Sequence, residues 1–435
     1  MCQIRVGYAW RLMTGRGSSA MSLTTLQSPD RRTTVSLFSR LRTAKGQADP
    51  FPLYEELRSG GQVTPAPWGG NLVTGFDLCD QVLRNREWVE PDRQWRARQG
   101  ESTRWGAPSV REMAHTLPAL NPPEHTRARR AAGSFDRGSI QEMTKNVTTT
   151  TSRLLDTLAD QLRDGEADFN TLVSEELPVA VIGGWLGLPS ADWPRLRELT
   201  HDQVFAQELL PSASQLALSD AATAELRTYF TELVSERRAR PGDDPVSRWI
   251  AAWDAMEPDR EKADAGVYYL AFFVLLAALE TTASLLSMTT LQLLDRPRWW
   301  EALATDPDLV PAFVEESLRY DPPTHVITRV ATRDGELGGA DYRTGEMVHL
   351  MVGAAGRDPE RHRRAEEFDP HRKPAHLAFS GGIHYCLGAP VARMEAQILL
   401  RELVRRLPRL TLARRPRWAP RVAFRRLLNL DVVTA

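Results

Sequence analysis

Residues 265–279 form the longest apolar stretch of this 435-residue chain, broken only by Gly266, and Glu280 follows at once. A membrane span needs about 20 consecutive apolar residues. This run is shorter, and it stops at an acid that would be costly to place in lipid. Helix-compatible residues continue through Thr281, Thr282, Ala283, Leu285, Leu286 and Met288. The segment therefore predicts one long helix, apolar on nearly all sides up to Glu280. Such a helix is at home only in the middle of a globule, so the rest of the chain must supply its cover.

Apolar residues recurring every three or four positions predict that cover as helices over residues 140–162, 221–238, 299–320 and 389–407. Short alternating or β-branched stretches at 70–74, 326–331 and 346–352 predict small strands beside the helices rather than a large sheet. The expected fold class is mainly α, an α-rich α+β arrangement. Pro-rich breaks at Asn121-Pro122-Pro123, Asp321-Pro322-Pro323 and Asp369-Pro370 punctuate elements without a linker-like change of composition, and no repeat is visible. Residues 49–435 are accordingly expected to form one domain, starting near Asp49-Pro50-Phe51-Pro52. Residues 1–48 are expected to be a disordered leader, in which Met13 and Met21 are alternative starts. Arg5, Arg11 and Arg16 interrupt its apolar residues, so no export signal or membrane anchor is expected.

Lys and Arg total 55 against 56 Asp and Glu, which argues against a nucleic-acid binder and makes any charged docking surface a local one. The three cysteines, Cys2, Cys79 and Cys386, are too few and too widely spaced for a disulfide framework or a structural zinc site. A reducing, cytoplasmic setting is expected.

Residues 379–390, Phe-Ser-Gly-Gly-Ile-His-Tyr-Cys-Leu-Gly-Ala-Pro, are a glycine-dense turn running into an amphipathic helix. Cys386 thus sits just before a helix N-terminus, where the dipole and free N–H groups favour an anionic sulfur. A lone cysteine is more often a small buried hydrophobe, but the surrounding pattern is specific. Phe379, Gly382, His384, Cys386 and Gly388 resemble the Phe-x-x-Gly-x-His-x-Cys-x-Gly signature of the cytochromes P-450, soluble bacterial members in particular. The resemblance implies haem b (iron protoporphyrin IX) with Cys386 as the thiolate ligand of iron, Phe379 beside it and His384 reaching a propionate. Ser380 stands where many relatives carry glycine. A thiolate ligand pushes electron density onto iron and favours O–O cleavage.

Glu280 and Thr281 put an acid and a hydroxyl side by side inside an apolar helix, a placement that needs a reason. In one reading Thr281 bonds a carbonyl of the preceding turn and Glu280 pairs with a distant arginine. In the other they relay protons to dioxygen at the cofactor. The stretch resembles the family's oxygen-activation motif, Ala-Gly-x-Glu/Asp-Thr-Thr, with Ala278 in place of the glycine that relieves crowding there.

Glu316 and Arg319 share a helix face, and the run through Tyr320-Asp321-Pro322-Pro323 resembles the family's Glu-x-x-Arg helix. It implies a structural network with Arg372 as third member. Two haem carboxylates call for Arg and His donors. His125 and Arg129, in a run resembling Pro-Pro-x-His-x-x-x-Arg, with Arg329 and His384, are the expected set. The likeness spans roughly residues 49–433 and leaves no room for a fused reductase.

The resemblance implies a monooxygenase hydroxylating or epoxidising a small-molecule substrate with O2, with electrons from a separate ferredoxin and ferredoxin reductase. Arg127, Arg130, Lys373 and Arg393 are either a docking face for an acidic ferredoxin or a plain solvated surface. The expected pocket walls are residues 88–118 with Trp88, Trp95 and Trp105, then 205–216, 268–276, 324–328 and 422–427. They suit a mid-sized, largely apolar substrate such as a secondary-metabolite intermediate. Two rival readings remain: altered chemistry, peroxide-driven or oxidative coupling, and a non-catalytic haem sensor.

Overall fold

The computed structural model describes residues 31–100, 103–133 and 137–435. Its axis is a 35-residue helix, Arg260–Leu294, capped where the Asp259 side chain accepts from Glu261 N and Lys262 N. The helix outruns the apolar stretch and is long and apolar enough to cross a membrane. Most of it is instead buried in the globule, with Val267, Ala271, Leu275, Leu279 and Leu293 sealed off from solvent. Glu176–Trp185, Trp193–Gln203, Ala213–Ala239, Pro245–Asp254, Val310–Tyr320 and Ala389–Arg406 pack around it. Each buried Leu or Phe on these facing surfaces contributes roughly 1.5–3 kcal/mol.

The three expected strands lie together in a five-stranded sheet ordered Val63–Pro65, Asn71–Val73, Met347–Leu350, Ile327–Ala331, Trp88–Val89. Val348 is the register point, parallel to Asn71 and antiparallel to Arg329. A β-carbon on Gly70 would lie 2.0 Å from Met347 O, so the approach of these strands requires glycine there. A three-stranded sheet of Ala167–Asp168, Asp431–Thr434 and Leu410–Leu412 and a hairpin of Gly335–Leu337 with Ala340–Tyr342 complete an α-rich α+β body.

Two expected boundaries shift. Helices Arg31–Leu41 and Ala44–Ala48 precede Asp49, and Leu37, Phe38 and Leu41 pack with Leu53, Tyr54 and Leu57. The packed chain therefore begins before the expected start; the rest of the expected leader, residues 1–30, lies outside the described residues. The helix expected over 299–320 is two, Pro297–Thr305 and Val310–Tyr320. Pro307 disfavours helical backbone at Asp306, whose side chain caps the short turn Pro307–Leu309 instead.

The Glu-Arg network is deeply buried. Arg319 grips both oxygens of Glu316 at 2.7 and 2.8 Å and donates to the carbonyls of Gly356, Ala365 and Glu367. Arg372 Nε adds a bond to Glu316 at 3.0 Å, and Asp369 N adds one at 2.8 Å. The network ties the helix to the 356–372 segment that leads into the cysteine loop. Glu316→Ala would strand two guanidinium groups and is expected to lower unfolding free energy by about 3–5 kcal/mol, read by denaturant titration.

Candidate active site

The cysteine loop is held by short-range bonds: Ser380 N to Leu377 O at 2.9 Å and Cys386 N to Phe379 O at 3.0 Å. Gly382 has φ of 60°, and a β-carbon there would lie 2.5 Å from Leu83 O, so the loop closes only with glycine. Ser380 shares the left-handed conformation at φ 60°, and its buried hydroxyl has no partner among the described residues. The loop hands over to helix Ala389–Arg406. Burial pushes the Cys386 thiol pKa up, against the pull of Gly388 and Ala389 N–H groups and of Arg129 and Arg393. A β-carbon on Gly388 would meet nothing closer than the sulfur, at 4.0 Å, so the backbone beside the thiol is bare. Phe379 lies under the Arg393 guanidinium at 4.4 Å, and Glu315 fixes that guanidinium at 2.6 and 2.9 Å.

Beyond its first turns, from Leu270 on, the central helix is buried apart from one stripe and Ala283. Phe273, Val274, Ala277, Ala278 and Thr281 are half-buried, spaced three or four apart on a single face, while their neighbours are sealed. Thr281 Oγ1 donates to Ala277 O at 2.6 Å. Glu280 points elsewhere: Arg421 binds one of its oxygens, and Arg426 Nη1 binds the other at 3.0 Å. Arg426 continues to Glu175 at 2.7 Å and to His201 Nδ1 at 3.1 Å. Burial raises the Glu280 pKa, but Arg421, Arg426 and His201 outweigh it and the net shift is downward. This is the geometry of the structural reading of the acid-hydroxyl pair, present on the same helix as the accessible stripe. Arg421 and Arg426 were not singled out in the sequence. The arginine-dense tail, with Arg414, Arg415, Arg417, Arg421, Arg425 and Arg426, was the available signal, but a pairing across some 140 positions has no local signature.

The His125 and His384 rings meet at a tilt of 59°, with centroids 4.4 Å apart. His125 is buried, and its Nε2 has no partner among the described residues. Burial, then Arg129, lowers its pKa. Burial, then Arg329, His125 and Arg129, brings His384 down to about 3. The four expected donors thus converge, with one difference: the Arg329 guanidinium binds Glu90 and donates to Thr328 O at 2.8 Å. Asn121 brackets the Glu90 backbone at 2.9 and 3.0 Å, and burial raises that carboxyl to about 7 despite Arg329. An orphaned buried ring nitrogen among cationic groups is an environment that accepts carboxylates. No group of three or more His, Cys, Asp or Glu side chains is arranged to hold a bare metal ion among the described residues. A flat, dianionic ring bringing its own metal fits these residues.

Four of the five expected pocket walls meet around a cavity of about 440 Å³, through Trp95 and Trp105, Gln207, Leu209 and Leu210, Val326 and Thr328, and Ala423, while residues 268–276 of the central helix do not line it. The exception within the first wall is Trp88, which is buried and packs on Tyr342 at 4.6 Å as a sheet residue. The expected basic face is partly committed: Arg127 pairs with Glu257 and Arg393 with Glu315, while Arg130 and Lys373 are exposed.

A bare-backboned cysteine at the mouth of a helix, with a His and Arg cluster beside it, is the layout of a haem-thiolate protein. Residues 208–413 match the cytochrome P450 family model. The chain is 30% identical over 413 residues to the biotin biosynthesis cytochrome P450 of Bacillus subtilis, covering 92% of this chain and 99% of the relative. It is 36% identical over 388 residues to nocardicin C N-oxygenase of Nocardia uniformis, covering 86% and 92%. The structure of P450BioI in complex with an acyl carrier protein ligated to hexadec-9Z-enoic acid superposes with a TM-score of 0.82 at 28% identity, covering 90% and 100%. The chain belongs to the cytochrome P450 family and is an oxygenase enzyme; the family implies a haem-iron cofactor.

Ser380→Gly removes the left-handed strain and the unpartnered hydroxyl, at the cost of added freedom in the unfolded chain. A net gain of about 1 kcal/mol is expected in thermal or denaturant unfolding.

Proposed function

We propose that the protein is a haem b monooxygenase that hydroxylates or epoxidises a mid-sized, largely apolar intermediate of secondary metabolism, in the cytoplasm. The convergence of His125, Arg129 and His384 beside Cys386 carries this reading. Cys386 would ligate the iron, with Gly388 leaving room beside the sulfur and Phe379 packing at the loop. His125, Arg129, Arg329 and His384 would take the propionates, Arg329 turning from Glu90 or sharing with it. When bound, the haem supplies the one-electron and dioxygen chemistry that side chains lack.

The chain's own groups do the rest. The Phe273, Val274 and Ala277 stripe excludes bulk water and presents an apolar surface to the substrate. Thr281 offers the one hydroxyl of that stripe and holds a proton at Oγ1. Glu280, kept ionised by Arg421 and Arg426, is the carboxylate one residue away; to relay a proton towards Thr281 it would first have to accept one and loosen its bonds to the arginines. Ala278 narrows the stripe where relatives carry glycine. Electrons would come from a separate ferredoxin and its reductase, docking near exposed Arg130 and Lys373. Relatives named for polyketide and nocardicin chemistry support a secondary-metabolite substrate.

A second reading, peroxide-driven or coupling chemistry, is favoured by the double lock on Glu280 and by the Thr281 bond to Ala277 O. The reduced, carbon monoxide-treated protein is expected to show the thiolate-type absorption band, and Cys386→Ser to lose it; an unchanged spectrum in the variant sinks the assignment. With NADPH and a surrogate ferredoxin and reductase, Thr281→Ala is expected to lower product formation about a hundredfold. Turnover driven by peroxide and indifferent to that substitution selects the second reading.

A further inference from the structure

The 440 Å³ cavity is walled by three tryptophans whose polar edges are largely spent on the protein. Trp68 Nε1 donates to His349 Nε2 at 2.9 Å, and Trp95 Nε1 donates to Gly345 O at 2.8 Å. Trp105 meets Trp95 edge to face with centroids 5.2 Å apart. His349 is spent as well, with its other nitrogen 3.1 Å from Thr328 Oγ1, and burial lowers its pKa to about 3, so it lines the cavity as a neutral ring.

Arg104 is the exception. It lies over the Trp105 ring at 4.8 Å and reaches across to the 206–209 turn, donating to the carbonyls of Glu208, of Leu209 at 2.7 Å and of Ala206 at 3.1 Å. Arg104 lines the cavity, it forms no ion pair among the described residues, and its Nε is buried without a partner among them. Glu208, the acid whose charge bears on it, has turned Oε1 to the N–H groups of Leu209, Val422 and Ala423 at 2.8, 3.0 and 2.8 Å. Burial pulls the Arg104 pKa down to about 10, against the charge of Glu208. Glu346, at the rim, is exposed and already accepts from Arg343 N at 2.8 Å.

We propose that Arg104 is a specificity-determining residue that selects substrates carrying a carboxylate on an apolar body, the body packing on Trp68, Trp95 and Trp105. The inference rests on the monooxygenase reading for the fate of that substrate, though not for its binding. An anion here gains a charge-assisted bond from the guanidinium inside an apolar enclosure, where the hydrogen bonds the guanidinium already makes go to neutral carbonyl groups. A neutral isostere of the same shape gains the apolar contacts alone.

The test is equilibrium dialysis of the holoprotein against matched pairs: indole-3-butyrate with indole-3-butyramide, and dodecanoate with dodecanamide. The acid is expected to bind about tenfold tighter than the amide in at least one pair, the size of one hydrogen bond to a charged group. Arg104→Gln should erase that ratio while leaving amide affinity within about twofold, which a role as a mere clamp on the 206–209 turn would not do. Arg104→Lys, which keeps the charge but loses the planar fork, should cut the ratio severalfold and supplies the reading if the glutamine variant does not fold. A wild-type ratio near one in both pairs, or an undiminished ratio in the variants, overturns the proposal. Carbon monoxide spectra of the same samples separate the two levels. A thiolate band with no preference for acids defeats this inference alone; absence of the band defeats the proposed function whatever the ratio.

Discussion

The constraint on which the structure depends is the burial of one long apolar helix, which beyond its first turns leaves only a narrow stripe and Ala283 open. Apolar packing can seal Arg260–Leu294 against the helices around it because its interior-facing residues are large and mostly aliphatic. Where the coat is left open, at Phe273, Val274, Ala277, Ala278 and Thr281, an internal surface results that is apolar and carries a single hydroxyl. The candidate site is thus a gap in the core rather than a cleft cut into the surface.

Polar groups inside such a core must be paired, and the pairing fastens distant parts of the chain. The tail residues Arg421 and Arg426 bind Glu280 on the central helix. Arg425 binds Asp321 at 3.2 Å at the end of the Glu-Arg helix, where Asp321 also holds His325 at 2.9 Å. Burial raises the Asp321 pKa, but Arg425 and His325 outweigh it and bring it to about 2. Tyr54, near the start of the chain, bonds the other nitrogen of His325 at 2.8 Å. Removing one charge from such a set leaves the others stranded in low dielectric, which makes these contacts all-or-none determinants of where the tail and the first helices lie. Glu280 therefore sits at a junction: it belongs to the central helix, yet both its oxygens are engaged by the tail.

Much of this was legible residue by residue. The central helix, the cysteine loop and its following helix, the Glu316-Arg319 pair with Arg372, and the three strands all follow from local pattern, because period, turn glycines and spacing are local properties. The boundary misjudged near Asp49 shows the limit: residues 31–48 are rich in Arg, Thr and Ser, and their few apolar side chains become decisive only when Leu53, Tyr54 and Leu57 are there to receive them. Trp88 was grouped with loop aromatics because it precedes a polar stretch, yet pairing with Ala331 places it in the sheet.

By itself the sequence determined the chemistry available: a cysteine at a helix mouth, a set of His and Arg residues matching two carboxylates, and an acid beside a hydroxyl. These depend on residue identity and short spacing. Tertiary structure alone decided which of them face one another and which are already engaged. It turned Glu280 to Arg421 and Arg426, gave Arg329 to Glu90, and set Arg104 beside a tryptophan-walled cavity with no ion pair among the described residues. The physical reason is that the state of a buried charge is set by what else is buried beside it, and those neighbours come from positions a hundred or more residues away.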